Sequence, residues 1–419
     1  MQNTKLNKSL SNDTVFNIIN SKFISLQDAE TKEAIQYLLA IVEELLQRMK
    51  SKDTLFAKTY KHITYCGSFY KGTKVGKPNE FDLNIVFNLP INYSSIDFSS
   101  TRPAFVKLNV NNSQIDNCLT DAEKRLFNNL ILNGFLDPNK FRSWIEGIIY
   151  RVVNELPMSG NKHKLFVSNG ELSFYATLKI KKSGPAFTLM LNILNRNIDV
   201  DLVPTLKFNI TAIRKFISNF NELQNCQNSI CFAIPVPVRG GNANLVTDQH
   251  WRLSFCLQEN EILRRYGRVK PIIRQMKKLR DTQNWKSIAS YYIETLFYNK
   301  LTELKPNLNS IPSTYFFFIM LKALCEACVQ HQIHYFWNRD YNLLEKIGIV
   351  EMQNIAYRLK FIIKIIEQNI ITDELILATY ILNSEELSLL KNICNGQKHI
   401  EGRAKGGMVM YDPMIMYYI

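Results

Sequence analysis

Two pairs of acidic residues at alternate positions are the part of this sequence best suited to do chemistry. Glu80 and Asp82 are separated by one residue in a run of strand-forming residues, and Asp199 and Asp201 repeat that spacing. Side chains at positions i and i+2 of a β-strand point to the same face, so each pair presents two carboxylates together. Such carboxylates bind Mg²⁺ that carries a nucleoside triphosphate, and paired ions stabilise both ends of an in-line displacement.

A turn and a basic loop come just before the first acidic pair. Gly67 and Ser68 form a small-residue turn, and residues 71–77 contain three lysines and two glycines. We interpret this loop as a phosphate-contacting segment. Metal-dependent transfer by two ions also needs a third carboxylate from a neighbouring strand. Asp199 and Asp201 share a face, so geometry leaves both open for that role.

Several elements must position these groups. Apolar residues recur at helical spacing over residues 28–50, which predicts a long amphipathic helix. Residues 62–87 are typical of a strand, a turn, a loop and a second strand. A hairpin is predicted over residues 172–194, turning at Ser183-Gly184-Pro185, and a further strand over residues 198–203.

The pattern changes near Gly240-Gly241-Asn242, and almost everything beyond is predicted to be helical. The expected fold class is therefore α+β, with two lobes. Residues 1–25 are a polar segment expected to be partly ordered at best. Residues 26–238 form a mixed-sheet catalytic lobe behind a long N-terminal helix, and residues 239–419 form an all-helical lobe. The apolar tail from residue 398 is expected to dock on the body of the protein.

Composition restricts the partners and the compartment. The chain has 51 Lys and Arg against 37 Asp and Glu, a net charge of +14, which favours polyanions. No apolar run reaches the length of a membrane span, and residues 1–12 lack the core of a signal peptide. The eight scattered cysteines are expected to be reduced thiols, which favours the cytoplasm or the nucleus.

One basic cluster in the second lobe is the densest of the chain. A polyanion partner is favoured there over a merely solvated face, because few acids interrupt the cluster. Its members are Arg264, Arg265, Arg268, Lys270, Arg274, Lys277, Lys278 and Arg280.

Cys325, Cys328, His331 and His334 are spaced like zinc ligands. All four lie in an apolar run that is predicted to be helical, where steps of three residues place them around half the circumference, so they do not converge on one ion. We therefore predict packing roles and no zinc.

The motifs together carry a resemblance. The Gly67-Ser68 turn, the Glu80-x-Asp82 pair and a later strand acid resemble the nucleotidyltransferase fold of polymerase β. The Gly184-Pro185-Ala186 turn, the run Val-Asp-Leu-Val-Pro at 200–204 and Trp-Arg-Leu-Ser-Phe at 251–255 resemble the cyclic GMP–AMP synthase family and its insect synthase-like receptors. The resemblance extends from about residue 26 to about residue 390.

The resemblance implies roles for particular residues. Glu80, Asp82 and Asp201 would hold two Mg²⁺ or Mn²⁺ ions, with Asp201 chosen over Asp199 because it fills the family's Val-Asp position. Substrates would be ATP and GTP. The nucleotide-contacting residues would be Ser68 and Lys277 on the triphosphate, with Lys278 as the alternative register, Arg252 and Ser254 on a purine edge, Ser290 on phosphate, and Tyr291 stacking on a base. Residues 71–77 would correspond to a loop that nucleic acid orders.

The implied activity is a nucleic-acid-activated synthesis of cyclic GMP–AMP in antiviral defence. Between Cys256 and Lys286 there is no cysteine or histidine, so the zinc-binding insertion of the vertebrate DNA sensor is absent. This absence weakens the case for DNA, and the resemblance to the insect receptors implies double-stranded RNA as the ligand; a homodimer formed on the ligand is left open. Two alternatives are a template-free RNA nucleotidyltransferase and a catalytically silent scaffold.

Overall fold

The structure is a computed structural model that describes residues 2–25, 28–111, 113–168, 170, 172–194, 196–237 and 248–406. Its α-helices are α1 Gln2–Leu10, α2 Thr14–Ile19, α3 Asp28–Lys52, α4 Thr54–Thr59, α5 Gly67–Lys71, α6 Asp121–Asn129, α7 Pro138–Asn154, α8 Phe220–Gln224, α9 Cys256–Arg265, α10 Val269–Thr282, α11 Ser290–Leu304, α12 Ser313–Gln330, α13 Ile349–Asn369, α14 Ala378–Ile381 and α15 Ser384–Gly406.

The β-strands are β1 Tyr60–Cys66, β2 Glu80–Phe87, β3 Asp97–Ser99, β4 Phe105–Asn109, β5 Ile131–Leu132, β6 Phe135–Leu136, β7 Met158–Ser159, β8 Lys162–Ser168, β9 Ser173–Ser183, β10 Ala186–Ile193, β11 Arg196–Asn209, β12 Ile230–Ile234, β13 Trp251–Ser254, β14 His334–Tyr335 and β15 Asn338–Asn342. A π-helix spans Asn20–Ile24, and short 3₁₀ helices span Tyr93–Ser95, Ile210–Phe216 and Lys305–Ser310.

One large mixed sheet forms the first lobe. Its strand order is β5-β6-β4-β13-β12-β11-β10-β9-β8-β7, and β2 lies parallel to β11 and antiparallel to β1. Strand β2 is buried along most of its length, as expected for a central strand with few polar residues after Asp82. Among the described strands, β2 and β11 form the only parallel pair, and these two strands carry both acidic pairs.

Helices cover the buried face of the sheet. The apolar side of α3 is buried through Leu38, Ile41 and Leu45, and α3 packs on α7 and β8. Helix α7 begins at Pro138, and the Asp137 carboxylate accepts hydrogen bonds from the first free backbone N–H groups. These helices bury one face of the sheet and leave the face with the acids open.

Several sequence predictions are confirmed. The long helix is observed as α3, the hairpin as β9 and β10, and the α+β class with a strand-rich first part and helical second part is observed as well. The predicted strand 198–203 is longer, because β11 continues to Asn209 along β2 and β12. After β11 the chain forms the 3₁₀ helix Ile210–Phe216 and the short α8.

The N-terminal segment differs most from its prediction. Residues 1–25 are predicted to be partly ordered at best, whereas in the structure α1 packs on α12 and the π-helix packs on α10. Leu10, Phe16 and Ile19 are buried there. The Asp13 carboxylate accepts hydrogen bonds from the backbone N–H groups of Ser313 and Thr314 at the start of α12, at 2.9 and 2.8 Å. The segment is polar overall, but its few apolar residues are buried against helices of the second lobe, which the local sequence does not show.

The second lobe is mostly helical, with two departures. Strand β13, which follows the predicted boundary at residue 238, belongs to the large sheet, and β14 with β15 forms a small hairpin. The boundary itself falls in residues 238–247, and much of the apolar tail falls in residues 407–419; both lie outside the described residues. No helix in the described ranges is both long and apolar enough to cross a membrane.

Candidate active site

The two acidic pairs meet on the open face of the sheet. In the parallel ladder of β2 and β11, Asp201 lies opposite Asp82 and Asp199 lies opposite Glu80. All four carboxylates line one cleft of about 350 Å³. Asp82 and Asp201 are partly buried, whereas Asp199 and Glu80 are exposed. Register therefore makes Asp201 the direct neighbour of Asp82, which residue spacing alone did not establish.

The Gly67 turn lies against the Asp82 carboxylate. Gly67 has φ of +75°, and a Cβ added there would lie 1.7 Å from Oδ2 of Asp82. Glycine is needed for both reasons, because an L side chain rarely adopts this conformation and would displace the carboxylate. The sequence turn and the first acidic pair thus form one wall of the cleft.

We expect Gly67→Ala to abolish most nucleotidyl transfer, because the new methyl group must push Asp82 out of place. Gly76→Ala is the matched control. Gly76 has φ of +79° and nothing within 4 Å of an added Cβ, so this variant introduces similar backbone strain without the clash. Product formation and thermal unfolding of both variants measure the effect. Equal activity of the two variants would mean that the contact with Asp82 is not needed.

The electrostatics of the cleft suit a divalent cation. Burial, followed by the charge of Asp201, raises the pKa of Asp82 to about 6. Two carboxylates pressed together in this way gain most from a cation between them. The donor set of Glu80, Asp82 and Asp201 therefore fits Mg²⁺ or Mn²⁺. In the described parts of the chain, however, no three acidic, His or Cys side chains are already grouped closely enough to hold a metal.

The position of Glu80 is one reason why the three acids are not grouped closely enough to hold a metal. Its side chain is 67% exposed and forms an ion pair with Lys74 rather than turning to Asp82. Lys74 belongs to the basic loop that the sequence predicted to contact phosphate. If Glu80 holds a metal ion as predicted, it would exchange this ammonium group for the ion.

Thr188 is a site residue that the sequence analysis missed. It lies on β10 opposite Asp201, and its Oγ1 donates a 2.5 Å hydrogen bond to Oδ1 of Asp201. The same row continues to Lys181 on β9, which also lines the cleft. Alternation along the predicted hairpin could have placed Thr188 on the face of the acids.

We expect Thr188→Val to lower kcat about tenfold, because a hydrogen bond to a charged group orients Asp201. The KM values for the nucleotides should stay within about twofold, since Thr188 touches no predicted nucleotide contact. Thr188→Ser keeps the hydroxyl and should restore most of kcat. Steady-state kinetics of the three proteins test this, and a Ser variant as slow as the Val variant would contradict it.

A second cavity adjoins the carboxylates at the junction of the two lobes. It measures about 470 Å³, and Asp82 and Gly67 line it together with Arg252, Ser254 and Tyr291. Strand β13 carries Arg252 and Ser254 and pairs with β12. The structure thus brings these three predicted nucleotide contacts to one space beside the acids. Tyr292, Tyr335 and Tyr341 also line it, and sequence reasoning missed them.

Glu259 organises the wall of this cavity. Its Oε1 accepts hydrogen bonds from the hydroxyl of Tyr291 at 2.6 Å and from Nε1 of Trp337 at 3.1 Å. Its Oε2 forms a 2.6 Å ion pair with Lys71. The Glu259 carboxylate therefore holds Tyr291 in place from behind. It lies seven residues after Arg252, on the helix that follows β13, and a search for partners of Tyr291 could have singled it out.

Glu294 joins the two lobes behind the cavity. Its carboxylate forms ion pairs with Lys277 at 2.6 Å and Lys71 at 3.0 Å, and accepts a hydrogen bond from Thr73 at 2.7 Å. Burial would raise its pKa, but the two ammonium charges and these hydrogen bonds outweigh burial and lower the pKa to about 2. All four side chains are buried.

The structure does not bring Lys277 to the cavity, contrary to expectation. Its side chain is 3% exposed and is held by Glu294 and Thr73. Lys278, the alternative register, forms an ion pair with Glu386 instead. Lys277 can be buried on the apolar side of α10 because its ammonium group pairs with the buried Glu294 carboxylate. The sequence alone does not show this partner.

Ser290 and Ser68 also lie outside the cavity lining. Ser290 Oγ accepts a 2.7 Å hydrogen bond from Nη1 of Arg280. Ser68 lies in α5, and its carbonyl accepts from the backbone N–H of Thr73 at 2.8 Å. Their phosphate contacts stay predictions.

The segment at 71–77 is not uniformly a phosphate loop. Lys71 ends helix α5 and is fully committed to Glu259 and Glu294, and Thr73 is buried. Lys77 and Gly76 are exposed. Phosphate contact is therefore left as a prediction for residues 74–77 alone.

The helix assumed for the zinc-like spacing ends before its histidines. Cys325 and Cys328 are buried in α12, which ends at Gln330. His331 has φ of +52° and contacts the carbonyl of Leu344, and His334 lies in β14. The absence of zinc stays a prediction, since its premise of a single helix is wrong.

Comparison with known proteins agrees with the site. Residues 69–265 match the Mab-21 protein nucleotidyltransferase domain, and residues 268–361 match the Mab-21 protein HhH/H2TH-like domain. A carboxylate cleft on a mixed sheet, followed by a helical domain, thus defines a nucleotidyltransferase with two lobes.

Similar proteins narrow the class further. A cyclic GMP-AMP synthase-like receptor of Microplitis demolitor is 37% identical over 93% of this chain and 72% of its own length. Relatives with the same name from Trichogramma pretiosum and Aethina tumida are each 33% identical, over 93% and 94% of this chain and 80% and 97% of their own lengths. The chain belongs to the family of cyclic GMP-AMP synthase-like receptors.

Proposed function

We propose that this protein joins ATP and GTP into cyclic GMP–AMP when double-stranded RNA binds it. The observation that carries the proposal is the position of Asp82. It lies opposite Asp201 in the carboxylate cleft and also lines the junction cavity, where Arg252 and Tyr291 lie. The name of the relatives supports the product. The two nucleotides would react in one place, first to a linear dinucleotide and then to the ring.

Glu80, Asp82 and Asp201 would hold two divalent ions. When bound, these ions supply charge stabilisation to the attacking hydroxyl and the leaving pyrophosphate. Thr188 keeps the Asp201 carboxylate oriented, and Gly67 lets the turn approach Asp82 closely. Arg252 suits the acceptor atoms of a purine through its planar guanidinium group, and the Tyr291 ring offers a surface for a base.

The basic cluster of the second lobe supports a polyanion as the activating ligand. Much of that cluster is occupied within the chain: Arg268 donates to the Leu308 carbonyl, and Lys278 and Lys277 pair with acids. Arg264 is exposed. Lys270 lies against Gly72, and burial, then the charges of Arg264 and Arg274, lower its pKa. Cations that repel one another in this way suit a phosphate backbone.

This cluster also connects to the active site. Arg274 Nη1 donates a 3.0 Å hydrogen bond to the carbonyl of Gly72, directly after α5. A phosphate drawn to Arg274 would compete for that bond and so act on the turn that carries Gly67. RNA is favoured over DNA because α9 ends at Arg265 and α10 begins at Val269, which leaves no space for a zinc-binding insertion.

Incubation of the purified chain with ATP, GTP and Mn²⁺ tests the proposal, with duplex RNA, duplex DNA or neither added. Mass spectrometry should detect cyclic GMP–AMP only with duplex RNA. An extended RNA would instead favour a template-free RNA nucleotidyltransferase, and no product under any condition would favour a silent scaffold. Equal synthesis without nucleic acid would contradict activation.

A further inference from the structure

The open face of the sheet extends well beyond the acids. Lys181 stands in one row with Asp82, Asp201 and Thr188, and from it strand β9 continues for six residues to Tyr175, about 20 Å along the strand. Nothing in the catalytic proposal uses this part of the face.

Two aromatic rings lie at its far end. Phe166 and Tyr175 are opposite each other on β8 and β9, with ring centroids 5.0 Å apart. They are 47% and 58% exposed, although both are large. Met190 on β10 is also exposed, at 41%, but it lies nearer the acids, between Lys179 and Asp199, and lines the carboxylate cleft. Large side chains grouped in water on one rigid face mark a binding surface.

Lysines separate the rings from the acids. Lys164 has its ammonium group 4.0 Å from the ring centroid of Tyr175. Lys179 and Lys181 are exposed on the same face of β9, between Tyr175 and the hairpin turn. The described acids of this face lie on β2 and β11, at the other side of the cleft. Exposed rings interleaved with lysines are the chemistry of a single-stranded nucleic-acid platform.

We propose that the face formed by Lys164, Phe166, Tyr175, Lys179 and Lys181 binds single-stranded nucleic acid. The rings stack on unpaired bases, and the lysines follow the phosphates towards the carboxylate cleft. A duplex hides its base faces, so it would gain only from the lysines. This surface is distinct from the basic cluster of the second lobe, and it needs neither metal nor nucleoside triphosphate.

The test is equilibrium binding of a fluorescein-labelled oligouridylate of about ten nucleotides, without metal or triphosphate. The double variant Phe166→Ala/Tyr175→Ala should weaken binding about tenfold or more. Lys179→Gln/Lys181→Gln should weaken it as well and flatten its dependence on salt. All four positions are exposed, so the variants should fold; circular dichroism checks this.

The matched control is Tyr357→Ala/Phe361→Ala on α13, where the side chains are 70% and 50% exposed. This control should bind the oligouridylate like the parent. Unchanged binding by the ring variant would overturn the proposal. So would an equal loss of duplex RNA binding in the ring variant, because the surface would then not select single strands. Since the assay is independent of catalysis, its outcome does not depend on whether the protein makes a cyclic dinucleotide.

Discussion

Asp82→Asn is expected to lower nucleotidyl transfer by a hundredfold or more while stabilising the metal-free protein. Loss of a single group from a preorganised charged site has roughly this effect on rate. Asp82 faces Asp201 and lies behind Gly67, so its charge has little solvent around it. The carboxylate is needed for the metal, but without the metal it destabilises the fold.

The sign of the stability change follows from the pKa. Asp82 has a pKa of about 6 in the folded protein against an ordinary value of 3.8. The folded state therefore holds a proton that the unfolded chain has lost, and stability falls as pH rises between these two values. At pH 7.5 the penalty is fully present, about 3 kcal/mol for a shift of about 2 pKa units at roughly 1.4 kcal/mol per unit. Asparagine removes it.

Thermal unfolding in EDTA and in Mn²⁺ measures both effects. In EDTA at pH 7.5 the variant should unfold at a higher temperature than the parent, and near pH 4 the difference should vanish. Mn²⁺ should stabilise the parent and not the variant. Asp199→Asn is the control for the rate, because Asp199 shares the strand face but lies opposite Glu80, and its effect should be much smaller. An Asp199→Asn variant that is inactive, beside an active Asp201→Asn variant, would reverse the assignment.

Glu294→Gln is expected to destabilise the protein by about 3–5 kcal/mol, since it leaves buried ammonium groups without their partner. Lys71 and Lys277 both lie within 3.0 Å of Glu294, and all three side chains are buried. The loss should be general, because these residues come from α5, α10 and α11 and join the two lobes. Urea unfolding at neutral pH measures it.

A double-mutant cycle measures the coupling free energy between Lys277 and Glu294. Lys277→Met combined with Glu294→Gln leaves Lys71 with Glu259, a balanced pair, so the double variant should lose less stability than the sum of the single variants. Lys278→Met is the control on the same helix. Its partner Glu386 is nearer the surface, and the loss should be about 1 kcal/mol or less. If Lys277→Met instead kept its stability and raised the KM for ATP, Lys277 would contact the triphosphate after all.

The local features of this fold could be predicted because they depend on neighbours in the chain. The spacing of apolar residues that forms α3 and the turn of the β9–β10 hairpin each depend on a short run of residues. The same holds for the alternate acids on β2 and β11, since strand geometry alone puts them on one face. The charge balance, likewise, needs no structure.

Burial and partners could not be predicted in the same way. Lys277 and Lys71 look like any basic residues in sequence, yet each meets a carboxylate more than 15 positions away in a space closed by both lobes. The N-terminal segment has a polar composition and still packs, because Asp13 finds free N–H groups at the start of α12. Such contacts depend on the whole chain being folded.

The acids show both cases in one site. Sequence established that Glu80 and Asp82, and separately Asp199 and Asp201, are paired on strand faces beside a glycine turn. It could not establish which acid of the second pair faces Asp82, because the register between strands more than a hundred residues apart has no local signal. The parallel ladder of β2 and β11 placed Asp201 opposite Asp82, with Thr188 beside it and Gly67 behind it.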